Sequence, residues 1–118
     1  MVRKPRSEYE MRDKLANSGY TVVMSPGSLG AIDMVAIKGT GIPGMCVVMG
    51  VQVKETRKNA VYLSKSEVES IKSLCEGAGW LAQLAVKFKA RNPREKPVWK
   101  FLDLSPWREA PVTVKRVS

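Results

Sequence analysis

A chain of 118 residues, 44% apolar and 26% charged, has the balance of a globular protein with one hydrophobic core and no room for a second. It contains no histidine, which excludes histidine-ligated zinc, histidine-based triads and imidazole bases. Any hydrolysis must therefore run on carboxylates, lysine and a metal ion. Lys and Arg number 20 against 11 acids, a net charge of +9, and their spread along the chain predicts a folded basic surface for a polyanionic partner.

The longest apolar run falls far short of the roughly 18 residues of a membrane span. The basic start, Met1 to Arg6, is not followed by the apolar stretch of a signal peptide. Cys46 and Cys75 sit among apolar neighbours on different predicted elements and read as buried free thiols. A cytoplasmic protein with one domain over residues 1–118 is the expectation, with no membrane association.

The first periodic segment runs from Glu8 to Ser18. Met11 and Leu15 form an apolar stripe that Glu8 continues, so this carboxylate is directed toward the body of the domain, or else is a first-turn acid favoured by the helix dipole. Ser7 with Glu10 suits a capping box, while Pro5 suits a slightly earlier start. Tyr20 to Met24 reads as a short strand. It enters the small-residue loop Ser25-Pro26-Gly27-Ser28-Leu29-Gly30, which lets backbone and hydroxyls approach a phosphate, or is a plain turn. Without Gly-Lys-Ser/Thr it is not a nucleotide-triphosphate loop.

Asp33 immediately precedes the apolar segment Met34-Val35-Ala36-Ile37. Next, Gly39 to Gly44 matches G-x-G-x-x-G, but the following Met45 to Val53 is strand-like rather than helical, so this is a loop between antiparallel strands. In that second strand Val47, Met49, Val51 and Val53 share one face, and Gln52 and Lys54 share the other, about 7 Å apart. If the two strands pair, Asp33, Gln52 and Lys54 meet at one end of a sheet. An oxygen-rich site beside a lysine suits a hard cation such as Mg²⁺, able to polarise a phosphate. An ordinary hairpin with a polar outer face has the same pattern.

Ser64-Lys65-Ser66-Glu67 is a capping box with Leu63 and Val68 as its hydrophobic staple. Val68, Ile71, Cys75 and Ala78 form the stripe of the second helix, which Gly77 and Gly79 close. Trp80 to Phe88 and Val98 to Leu102 read as strands on either side of a basic, proline-containing turn. The tail from about residue 104 is irregular. The predicted fold is a small α/β domain with a central mixed β-sheet flanked by helices. A three-strand meander comes first, and a helical crossover then permits parallel pairing.

Arg3-Lys4, Glu8, Gly19 to Val23, Ser25 to Ser28, Ile32 to Ala36, Val51-Gln52-Val53-Lys54 and Leu84 to Phe88 come in an order and near a spacing that resembles the archaeal Holliday-junction resolvases. That family belongs to the PD-(D/E)XK nuclease superfamily, and the resemblance extends from residue 3 to about 104. It implies a restriction-endonuclease-like fold and a homodimeric, Mg²⁺-dependent endonuclease, with Mn²⁺ as a substitute. Such an enzyme makes paired cuts in four-way DNA junctions, selected by structure rather than sequence. By matching position Glu8 resembles the catalytic glutamate of the first helix, Asp33 the metal-ligating aspartate and Lys54 the catalytic lysine. The resemblance makes Gln52 and the Val53 backbone carbonyl further metal ligands, and Arg3, Lys4, Arg6, Ser25, Ser28 and Lys87 DNA-contacting positions. Trp99, Trp107 and the tail are candidates for a dimer surface.

The departure is Gln52, where the family pattern has glutamate. Glutamine keeps a carbonyl oxygen and loses a charge. A natural QxK nuclease, as in restriction nucleases of the superfamily, a DNA-binding module with impaired catalysis, and a restriction or repair enzyme acting on ordinary duplex all remain open on sequence.

Overall fold

The computed structural model describes residues 6–25, 31–104 and 111–116. In chain order they form α1 (Arg6–Asn17), β1 (Thr21–Met24), β2 (Met34–Gly39), β3 (Cys46–Thr56), β4 (Ala60–Leu63), α2 (Lys65–Ala78), β5 (Leu81–Phe88), β6 (Val98–Asp103) and β7 (Val112–Lys115). Five strands make the main sheet in the order β1-β2-β3-β5-β6. Among the described strands of this sheet β3 and β5 pair in parallel, joined by the crossover through α2, and the other neighbours are antiparallel. The meander, the crossover and the mixed sheet all follow the sequence reading.

Alternation sorts the sheet's side chains into two layers. Met34, Ala36, Met49, Val51, Val53 and Ala85 face α1 and pack with its Met11 and Leu15. Val35, Ala82, Leu84, Val86 and Phe88 face the other way and pack with Val68, Ile71 and Cys75 of α2. Fully burying each large aliphatic chain of these layers contributes about 2 kcal/mol. β3 is thus covered on both faces, and polar residues on it emerge only where this cover ends.

The capping box and Gly79 bound α2 as the sequence predicts, whereas Gly77 lies inside the helix. Ser64 accepts from the Glu67 N–H at 3.2 Å, and the αL residue Gly79 donates to the carbonyls of Cys75 and Glu76. Leu63 and Val68 are both fully buried. Ala78, expected on the apolar stripe, is exposed, because the last turn runs past the sheet, and Leu74 packs on the core instead. At α1 the earlier start holds: Ser7 lies inside a helix that begins at Arg6, and Glu10 pairs elsewhere. Pro5 lies outside the described residues.

Two further expectations are corrected. The tail is not irregular throughout, since β7 pairs antiparallel with β4, with Leu63 opposite Val112 and Ala60 opposite Lys115. Arg116 anchors this ribbon. Its guanidinium donates to the carbonyls of Arg57, Lys58 and Lys89 and lies over the Phe88 ring at 5.2 Å. Cys46 is exposed rather than buried. It pairs with Gly39 at the hairpin end of β2 and β3, where the ribbon extends past both helices. Cys75 is buried, and burial pushes its thiol up, opposed by a hydrogen bond with the Gly50 backbone.

Candidate active site

β2 ends one residue short of covering β3. Asp33 still donates its N–H to the Val51 carbonyl at 2.8 Å, while its own carbonyl accepts from Ser25. Beyond it the ladder stops. The Val53 N–H, which points to the β2 side, is met by the Asp33 carboxylate instead, with Oδ2 at 2.7 Å. A charged acceptor on a backbone N–H is a strong hydrogen bond, and it fixes Asp33 across the end of β3. The Val53 carbonyl, on the same edge, is met by the Gln52 amide nitrogen at 3.4 Å.

The regular pairing of β2 with β3 ends at Met34 opposite Val51. Gln52 and Lys54 face α2, and Asp33 reaches their strand through the Val53 N–H, so the three lie at one end of the sheet, as the sequence expectation has it. Gln52 and Lys54 line a cleft of about 340 Å³ together with Ala31 and, from α2, Ser66, Glu67, Ser70 and Ile71. Lys54 reaches Glu67, with Nζ 3.4 Å from Oε2. Sequence reasoning took Glu67 only as a helix cap. Its second place, on the wall of this cleft, follows from the parallel crossover, which brings the N-terminus of α2 over the C-terminal half of β3.

Glu8 is buried, at 7% exposure, on the stripe with Met11 and Leu15. Its helix packs on the opposite face of the sheet from Gln52 and Lys54. Lys87 also faces α1: its Nζ lies 2.6 Å from Glu10 Oε1, and its side chain is only 12% exposed. Arg6, by contrast, is 93% exposed and loosely paired with the same Glu10 at 3.7 Å. Ser25 is buried beneath the surface at 3% exposure. Arg3, Lys4 and Ser28, and the dimer candidate Trp107, lie outside the described residues. Trp99 is half-buried and stacked on Phe101.

The donor set suits a hard divalent cation. Asp33 supplies a carboxylate, and Val53 a carbonyl on an edge that β2 has vacated. Half a turn of the Gln52 amide, whose two ends look alike to packing, sets its oxygen toward that carbonyl. Two oxygens facing across 3.4 Å repel unless a cation lies between them. Among the described residues no group of three or more Asp, Glu, Cys or His side chains is placed to hold a metal.

Residues 3–116 match the model of the family described as archaeal Holliday junction resolvase (Hjc). The chain belongs to that family. Junction resolution by endonucleolytic cleavage, with a divalent cation, is the activity class that goes with membership of this resolvase family. Among solved structures, the fold matches Archaeoglobus fulgidus Hjc, described as a Holliday junction resolvase from an archaeal hyperthermophile, with a TM-score of 0.66. Sequence identity is 24%, and the match covers 94% of this chain and 82% of that one. The restriction-endonuclease-like α/β architecture expected for a resolvase is the one described above.

Proposed function

We propose that this resolvase cuts opposing strands of a four-way DNA junction as a homodimer with Mg²⁺, Mn²⁺ substituting, and that its working site is the end of β3. Asp33, the Gln52 amide oxygen and the Val53 carbonyl hold the cation, which supplies Lewis acidity toward the scissile phosphate when bound. Lys54 donates to the phosphate oxygens and steadies the attacking water. Glu8 adds a carboxylate from α1, reaching the site around the end of the sheet. Arg6, with the outlying Arg3, Lys4 and Ser28, contacts the DNA backbone. Lys87 and Ser25 serve the same interface from beneath, Lys87 by holding α1 through Glu10 and Ser25 by holding the base of the loop.

The observation that carries this reading is the convergence of Asp33, Gln52 and Lys54 on the end of β3 beside an open carbonyl edge. The two-fold symmetry of a dimer matches that of a junction, and the edge strand β6 exposes Val98 and Phe101 as a surface for it. Cleavage of labelled four-way junctions, linear duplex and single strands across a Mg²⁺ and Mn²⁺ titration tests it. Paired nicks in the junction alone are expected, and equal cutting of linear duplex would replace the reading with a restriction- or repair-type nuclease.

Gln52 also favours a second reading, a junction-binding module with impaired catalysis. Gln52→Glu distinguishes the two. A gain of orders of magnitude in cutting identifies the glutamine as disabling, whereas little change or a loss identifies it as the working ligand.

A further inference from the structure

The carboxylate of Glu67 has no assigned part in the chemistry, yet it lies on the wall of the cleft that holds Gln52 and Lys54. Its two oxygens are divided between tasks. Oε1 faces the Ser64 N–H at 3.5 Å and the Ser64 hydroxyl at 3.4 Å, while Oε2 faces Lys54 Nζ at 3.4 Å. Capping requires an acceptor and not a charge, since glutamine serves equally in a capping box. Nor does stability explain the charge. The side chains of Lys54 and Glu67 are 37% and 47% exposed, and pairs that open to solvent contribute about 0–1 kcal/mol.

The charge has a use at the site itself. With glutamine at position 52, Asp33, Lys54 and the Glu8 assigned above sum to one negative charge against the two positive charges of a divalent cation. Glu67 brings that sum to two, so that the site's charge equals the cation's. It also restrains Lys54, a long chain with four rotatable bonds, on the cleft side of the strand. We infer that Glu67 is a positioning residue of the active site that supplies from α2 the negative charge absent at Gln52, holding Lys54 in the cleft and strengthening cation binding. The inference rests on the nuclease reading for its purpose, but its test does not depend on cleavage.

Four proteins decide it: wild type, Glu67→Gln, Gln52→Glu/Glu67→Gln, and Ser64→Ala, each examined by thermal melting, calorimetric titration with Mn²⁺ in the absence of DNA, and junction cleavage. Glu67→Gln should melt as wild type does, bind Mn²⁺ about 10- to 100-fold more weakly and lose cleavage to a similar degree, the range seen when a metal ligand's supporting carboxylate is removed. The double variant, with its charge moved from α2 to β3, should recover most of both. Ser64→Ala, which weakens the cap but leaves the charge, should melt earlier with unchanged Mn²⁺ affinity. An unchanged Mn²⁺ affinity in Glu67→Gln, no recovery in the double variant, or no Mn²⁺ binding by wild type overturns the inference. A wild type that binds Mn²⁺ but leaves junctions uncut defeats the nuclease reading instead, and the affinities still decide the role of Glu67.

Discussion

Asp33 has two duties that a substitution can separate. Its Oδ2 replaces a missing strand partner by accepting the Val53 N–H at 2.7 Å, and its charge lies at the end of β3. Asn in its place keeps an oxygen for the Val53 N–H and removes the charge. Asp33→Asn should therefore fold and bind junctions as tightly as wild type or more so, since a negative charge near the phosphates is gone, while metal-dependent cleavage falls by at least about 100-fold, the upper end for loss of a supporting group. Gel-shift and single-turnover cleavage on the same preparation check both halves. Full activity in this variant would mean that the site lies elsewhere. Lys54→Ala should likewise stop cutting with a modest loss of affinity, because its stem is half-buried and its ammonium is already shared with Glu67.

At the scale of elements, the α2–β3 contact depends on a glycine. A Cβ on Gly50 would lie 2.6 Å from Cys75 Sγ and 3.3 Å from Ile32 Cδ1, closer than real contacts allow. Gly50→Ala should destabilise the fold by about 1–3 kcal/mol through overpacking. Cys75→Ala in the same chain should return part of that loss, since neighbouring substitutions couple by about 0.5–3 kcal/mol. Urea unfolding of the four proteins of this cycle gives the coupling, and strict additivity would show that the sheet shifts rather than the sulfur. On the other face, the Lys87–Glu10 pair fastens α1 to β5. Lys87→Met keeps the buried stem and removes the charge, and should lower the unfolding free energy by about 2 kcal/mol, as for hydrogen bonds to charged groups. A stability loss within error, with weaker DNA binding, would instead assign Lys87 to direct contact. What the sequence discloses at this scale is whatever is local. The ends of α2 are written within four residues of each boundary, and the strand faces follow from alternation. β4 and β7 are four residues each, and their pairing joins segments from opposite sides of α2, so no local pattern declares them. Cys46 misleads because its apolar neighbours Met45 and Val47 are themselves exposed on the projecting hairpin. The place of Glu67 in the cleft likewise appears only once the crossover has been folded.

The whole molecule carries a net charge of +9. Recognition of a junction by form requires contacts with many phosphates on several arms, and such contacts release condensed counterions. Each phosphate neutralised on duplex steepens the fall of log affinity with log salt by about 0.9. A footprint of six to ten phosphates, typical of DNA-binding proteins, would cost about 10³–10⁵ in affinity between about 50 and 200 mM monovalent salt. The expected outcome is a slope in that range for a four-way junction, measured by fluorescence anisotropy at constant divalent-ion concentration. Linear duplex of equal mass should bind more weakly throughout and with a shallower slope, because one arm offers fewer phosphates to the same basic surface. Asp33→Asn should leave the slope unchanged, since it alters one charge at the site and none of the cationic contacts. A shallow slope with equal affinity for junction and duplex would mean that the positive charge serves solubility rather than DNA, and the junction-selective reading would fall with it.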